Sequence, residues 1–206
     1  STMIRLQEFY ESPHAELRGQ WFELETAMDV LVNNYGKFTY FEDWCGYNVP
    51  DFAVLNFFDL YAGTLREKEK ILYSTLLPLI RQYRYTGMET QPKPRAFSVI
   101  GAVINDKQTI RHELAHAFYY LFDDYTSKML QMTYEWSKAA QLRTKLVDAG
   151  YSTDFADDEI QAYCATSTID YMKKLFKLSL PNPNGFKRFF NVTKGKYLLD
   201  EGNQLI

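Results

Sequence analysis

The sequence predicts an α+β protein, mostly helical with a small sheet, folded as a single domain over residues 1–206. Three observations point there. Apolar residues recur at helical spacing in several separate windows, whereas only short runs carry the β-branched, apolar character of strands. A chain of 206 residues that is 46% hydrophobic and 17% aromatic can fill one sizeable core. No internal repeat or low-complexity linker divides it.

Taken in order, residues 3–9 alternate well enough to predict a short strand. Leu24, Met28, Leu31 and Val32 predict a helix that stops at Asn33-Asn34-Tyr35-Gly36. The stretch KFTYF reads as a second strand. Pro50 can open a helix reaching Tyr61, because its fixed φ suits a first helical turn. Thr64 and Glu67 have the Thr-x-x-Glu spacing of a capping box ahead of TLREKEKILYSTLLPLI. Residues 89–95, with Pro92 and Pro94, form a loop leading into RAFSVIGAVI, a buried strand. Asn105-Asp106 then turns the chain into a helix striped by Ile110, Leu114, Ala117, Phe118 and Leu121. A long helical region runs to Ala149-Gly150. After a loop through Asp154, FADDEIQAYCATSTIDYMKKLFKL is one further helix ending before Pro181. In the tail, Phe186, Phe189, Phe190 and Tyr197 are expected to pack on the domain.

The charge balance narrows the partners. With 23 basic against 26 acidic residues and no long run of either sign, there is no footprint for nucleic acid or a membrane surface. No segment has the length and apolarity of a membrane span, and the opening STMIRLQEFYESP lacks the basic-then-apolar layout of a secretory signal. A cytoplasmic setting is expected, with export by another route left open. The two cysteines, Cys45 and Cys164, are too few for a disulfide framework. Both are expected to be buried structural thiols. Oligomeric state leaves no mark on the sequence.

Chemistry concentrates in TIRHELAHAFYYL, which holds two of the three histidines of the chain. Residues four apart lie one turn apart on one helix face, so His112 and His116 can present ring nitrogens to a single ion at about 2.0–2.1 Å. Glu113, on an adjacent direction, is placed to take a proton from a zinc-bound water without itself ligating. The contrary reading of these residues is a helix whose histidines are merely hydrogen-bonded or solvated. Histidine scarcity, and the entry of a strand directly into this helix, weigh against it.

On this His-Glu-x-x-His motif the chain resembles the zincin metallopeptidases. The metzincin branch would need a glycine and third histidine soon after His116, but the chain continues AFYYLFDDYT. The gluzincin branch draws a glutamate from a later helix in a Glu-x-x-Ala context, and Glu159-Ile160-Gln161-Ala162 follows His116 by 43 residues. The resemblance spans roughly residues 96–175 and implies one zinc ion on His112, His116 and Glu159. It implies Glu113 as general base and a peptide or protein as substrate, bound along the edge of the RAFSVIGAVI strand. A core strand paired on both sides is the other reading of that run. The alternative function is a zincin-like domain that holds metal or a partner without turnover.

One detail departs from the gluzincin pattern. The aspartate that often follows the glutamate by four residues is Tyr163 here, leaving Thr166 or Asp170 to orient a histidine. Asp157 and Asp158 read as first-turn acids that complement the helix dipole, so their loss should leave metal binding nearly unchanged. Tyr119, Tyr120, Tyr163 and Arg188 are candidate oxyanion donors. The segment CGYNVPD lacks the spacing of the cysteine latch with which some zinc proteases block their metal.

Overall fold

The computed structural model describes residues 3–38, 40, 45–85, 97–178 and 183–198. They divide into two compact units, Ser1–Ile100 and Gly101–Ile206. Helix dominates, accompanied by one two-stranded antiparallel sheet.

In the first unit, Ile4–Glu11 forms α1, a helix where a strand was expected. The alternation of Ile4 and Leu6 with Arg5 and Gln7 looked like two faces of a sheet, one wet. The helix is instead enclosed on all sides, and its polar residues are buried with its apolar ones. Arg5 forms a fully buried ion pair with Glu69, donates to the Thr64 carbonyl at 3.0 Å, and lies over the Tyr61 ring. Gln7 accepts from the Tyr40 hydroxyl. Such pairing is what permits charge inside a core.

Leu24–Tyr35 is α2, stopped as expected by Gly36, whose φ of 75° is the left-handed conformation that glycine adopts at little cost. Of the strand expected in KFTYF, Thr39 and Phe41 lie outside the described residues; Lys37 and Phe38 are not in a strand and Tyr40 is helical. Gly46–Pro50 is β1, and Pro50 leads into α3, Asp51–Leu60. The next helix, α4, spans Glu67–Tyr85. Its capping carboxylate is Glu69, which accepts from the Arg66 amide at 2.7 Å, so the box begins two residues later than Thr64-Glu67. The 89–95 loop lies outside the described residues. Phe9, Phe57, Phe58 and Tyr61 pack edge-on and stacked at the centre of this unit. The strand expected in RAFSVIGAVI is β2, Ser98–Ala102, but it is not the buried strand expected: only Val99 is buried, since among the described residues it pairs with β1 alone, and Val103 and Ile104 beyond it are exposed. Cys45 is exposed, against expectation; it precedes β1 rather than lying under it.

In the second unit Asn105, at φ 68°, turns the chain into α5, Lys107–Leu121. Asp106 caps it, accepting from the Gln108 and Thr109 amides and from the Thr109 hydroxyl. The helical region expected to Ala149-Gly150 consists of α6, Asp123–Glu135, and α7, Ala139–Asp148, divided at Trp136. A 3-10 turn, Thr153–Phe155, leads into α8, Ala156–Thr166. One expected helix is two here. Thr168 accepts from the Tyr171 amide and starts α9, Ile169–Phe176. Asn184–Leu198 is α10; Phe186 and Phe190 are buried as expected, Phe189 is partly buried, and Tyr197 stacks on Phe122.

The hub of this unit is α8, which packs most extensively on α5 and also meets α6, α7 and α10. Small Ala156, Ala162, Cys164 and Ala165 are fully buried and let its neighbours approach closely. A helix buried around its whole circumference has no solvated stripe. Its polar side chains turn toward its neighbours, Asp158 and Glu159 to the histidines of α5 and Gln161 to Ala115 of α5 and Tyr125 of α6.

Candidate metal centre

His112 and His116 sit on α5 with their Nε2 atoms 3.2 Å apart. Glu159 on α8 faces them: Oε2 lies 3.6 Å from His112 Nε2, and Oε1 lies 3.6 Å from His116 Nε2. One ligand atom from each residue falls within 4.8 Å of the others, a grouping that could hold a metal ion. Atoms bound tetrahedrally at about 2.0–2.2 Å stand about 3.3–3.6 Å apart; each histidine nitrogen stands at about that distance from one Glu159 oxygen, though from a different oxygen in each case. A further sign is that Glu159 Oε2 is buried and has no hydrogen-bond partner among the described residues. A buried carboxylate oxygen left this way costs folding energy unless something else satisfies it. Two imidazoles and one carboxylate form a donor set suited to zinc.

The second layer was only partly foreseen. Thr166 accepts the orienting role: its Oγ1 lies 3.4 Å from His112 Nδ1 and donates to the Ala162 carbonyl at 2.7 Å. Asp170 cannot share it, because the break at Ser167-Thr168 puts Asp170 on α9, off the Glu159 face. Asp158 corrects the reading more sharply. Its Oδ1 lies 2.9 Å from His116 Nδ1 and accepts from Gln161 Nε2 at 2.8 Å. Gln161, fully buried, also donates to the Ala115 carbonyl and accepts from the Tyr125 hydroxyl at 3.1 Å. The run Tyr125–Gln161–Asp158–His116 thus fixes the tautomer that turns His116 Nε2 toward Glu159. Asp157 keeps the surface role, paired with Arg143.

Asp158→Ala is accordingly expected to weaken metal binding by about 10–100-fold, the usual cost of losing a carboxylate behind a histidine ligand. Asp157→Ala should change it little. Competition titration with a chromophoric chelator measures both, and equal affinities in the two variants would remove Asp158 from the site.

Charge is tightly coupled in this cluster. Burial works to lower the His116 pKa, but the carboxylates of Asp158, Glu159 and Glu113 outweigh it and hold the imidazole well above its ordinary range. Burial works to raise Glu159, and the imidazoles of His116 and His112 bring it below the usual carboxylate value. The metal-free site therefore carries a protonated His116 against an ionised Glu159. Because a metal ligand must be neutral imidazole, loading is expected to expel one proton. Since the folded pKa of His116 is raised, apparent affinity should climb about tenfold per pH unit from pH 6.5 upward until that raised pKa is passed. Calorimetry in buffers of different ionisation enthalpy counts the proton; zero release at pH 7 would contradict this charge state.

Glu113 is buried on α5, and desolvation is the first cause that raises its carboxyl pKa; Glu159 and Asp158 add to it while the two imidazoles oppose it. Tyr163 lies beside the centre, its ring 4.7 Å from that of His112 and its hydroxyl 3.0 Å from that of Tyr151. Of the other donors considered, Tyr119 is held protonated by burial and by Asp158 and Asp157, and among the described residues Arg188 has no contact with a ligand atom. Cys164 is buried in the core.

The chain matches no family model, no curated protein and no solved structure. No helix among the described residues is long and apolar enough to cross a membrane. What stands is a mostly helical protein with a candidate His-His-Glu metal centre.

Proposed function

We propose that the protein is a zinc-dependent metallopeptidase, with His112, His116 and Glu159 holding one ion and Glu113 acting as general base. The observation that carries the reading is the pairing of that donor group with a second, buried carboxylate one residue after its first histidine. A metal held only for structure has no need of Glu113 there, and tends to fill its fourth position with a protein group. A bound zinc ion would supply Lewis acidity, polarising a carbonyl and lowering the pKa of water toward about 7.

The remaining work falls to side chains. Glu113, its carboxyl raised by burial, is suited to accept a proton near neutrality and return it to the leaving amine. Asp158 and Thr166 hold the imidazoles in register. Peptide as substrate follows from the resemblance of the His112–His116 stretch to the zincin motif. The test is digestion of a proteome-derived peptide library by zinc-loaded protein, with chelated protein alongside. Chelator-sensitive cleavage supports the peptidase; stoichiometric zinc without cleavage favours a metal-holding domain that lacks turnover.

A further inference from the structure

Beside Tyr163 the second unit contains a cavity of about 260 Å³, which His112 does not line. The cavity is smaller than the roughly 300–1,000 Å³ typical of drug-sized sites, so it suits a single ring or short alkyl group. Its walls differ in kind. Phe176 and Leu175 from the end of α9 give an apolar side, and Tyr163 packs edge-on against Phe176 with ring centroids 5.0 Å apart. Tyr151 and Tyr163 also line it, and their hydroxyls lie 3.0 Å from each other.

The charges around it do not cancel. Lys145 and Asp148 both line the cavity and pair with each other at 3.9 Å. Lys177 lines it as well, and among the described residues no carboxylate pairs with it. The end of α7, which would favour a cation, is closed by the chain itself: the amides of Ala149, Gly150 and Tyr151 take its last carbonyls. Among the described residues one ammonium is left uncompensated beside an apolar slot. Lys177 closes α9 in the left-handed conformation, at φ 53°, a common way for a helix to end.

We infer that this cavity binds a small carboxylic acid with an apolar body, its carboxylate on Lys177, and that the occupant acts on His112 through the Tyr163 ring. The geometry for the second half is the single ring between the two places: Tyr163 lines the cavity and contacts His112. The coupling rests on the metal reading, whereas the binding does not.

The probes are 3-phenylpropionate and its neutral counterpart 3-phenylpropan-1-ol, titrated calorimetrically into metal-free protein. The acid is expected to bind about tenfold more tightly, the usual worth of a hydrogen bond to a charged group. Lys177→Asn, which suits the left-handed backbone, should abolish that preference without weakening the alcohol. Ala149→Leu, which fills the cavity, should remove both. Equal binding of acid and alcohol, or binding indifferent to both substitutions, overturns the site. In cobalt-loaded protein, saturating acid should shift the visible bands, and by reciprocity cobalt should alter the acid affinity by the same factor that the acid alters cobalt affinity. Unmoved bands overturn the coupling. Failure to take up cobalt overturns it too, together with the metal centre, while the metal-free titrations still decide the cavity.

Discussion

Glu159→Ala is expected to strip the protein of zinc. Apparent binding energies of structural zinc sites, about 10–16 kcal/mol shared over four ligands, put roughly 3 kcal/mol on each, more than a hundredfold in affinity. His112→Ala and His116→Ala should behave alike, since each takes one corner of the same group. Glu159→Gln separates ligation from packing: it keeps the volume at the centre of α8 but replaces an anionic oxygen with an amide. Elemental analysis after exhaustive desalting reads all four against wild type. Equal zinc in the variants and the wild type would end the assignment, whatever their activity.

The other large effect is expected at Glu113. Glu113→Gln preserves shape and removes the base, so the zinc content should match wild type while peptide cleavage falls by about 10²–10⁴-fold. The substitution also takes a potential negative charge from beside His116, whose imidazole Glu113 helps to keep protonated. The pH at which metal binding saturates should therefore move slightly lower in this variant. Turnover near wild-type level in a zinc-loaded Glu113→Gln protein would show that another group moves the proton.

The legibility of the centre followed the reach of local geometry. His112, Glu113 and His116 lie within two turns of one helix, and helical pitch alone relates their directions. Glu159 was legible through residue type and separation, because a carboxylate on a later helix completes the donor set. Asp158 was not, because the helical wheel shows only that it points about 100° from Glu159. On a surface helix that direction would meet water, but α8 is enclosed, and there it meets His116. The same blindness produced the false strand at residues 3–9: periodicity reports which positions are apolar and cannot foresee that Arg5 will find Glu69. The break before α9 escaped because no proline or glycine marks it; Thr168, a hydroxyl cap, was the one local sign there.

Nine of the eleven residues of α8 are buried, including the proposed ligand Glu159, Thr166 behind His112 and the alanines that let its neighbours close in. Metal chemistry and core construction thus draw on the same dozen positions. In a library of random substitutions, α8 should emerge as the least forgiving segment of the second unit, with changes at Ala162 and Ala165 as damaging as changes at Glu159. Attempts to retune the centre for another ion would have to work from α5, where Leu121 and Tyr120 are only partly buried and leave room for change.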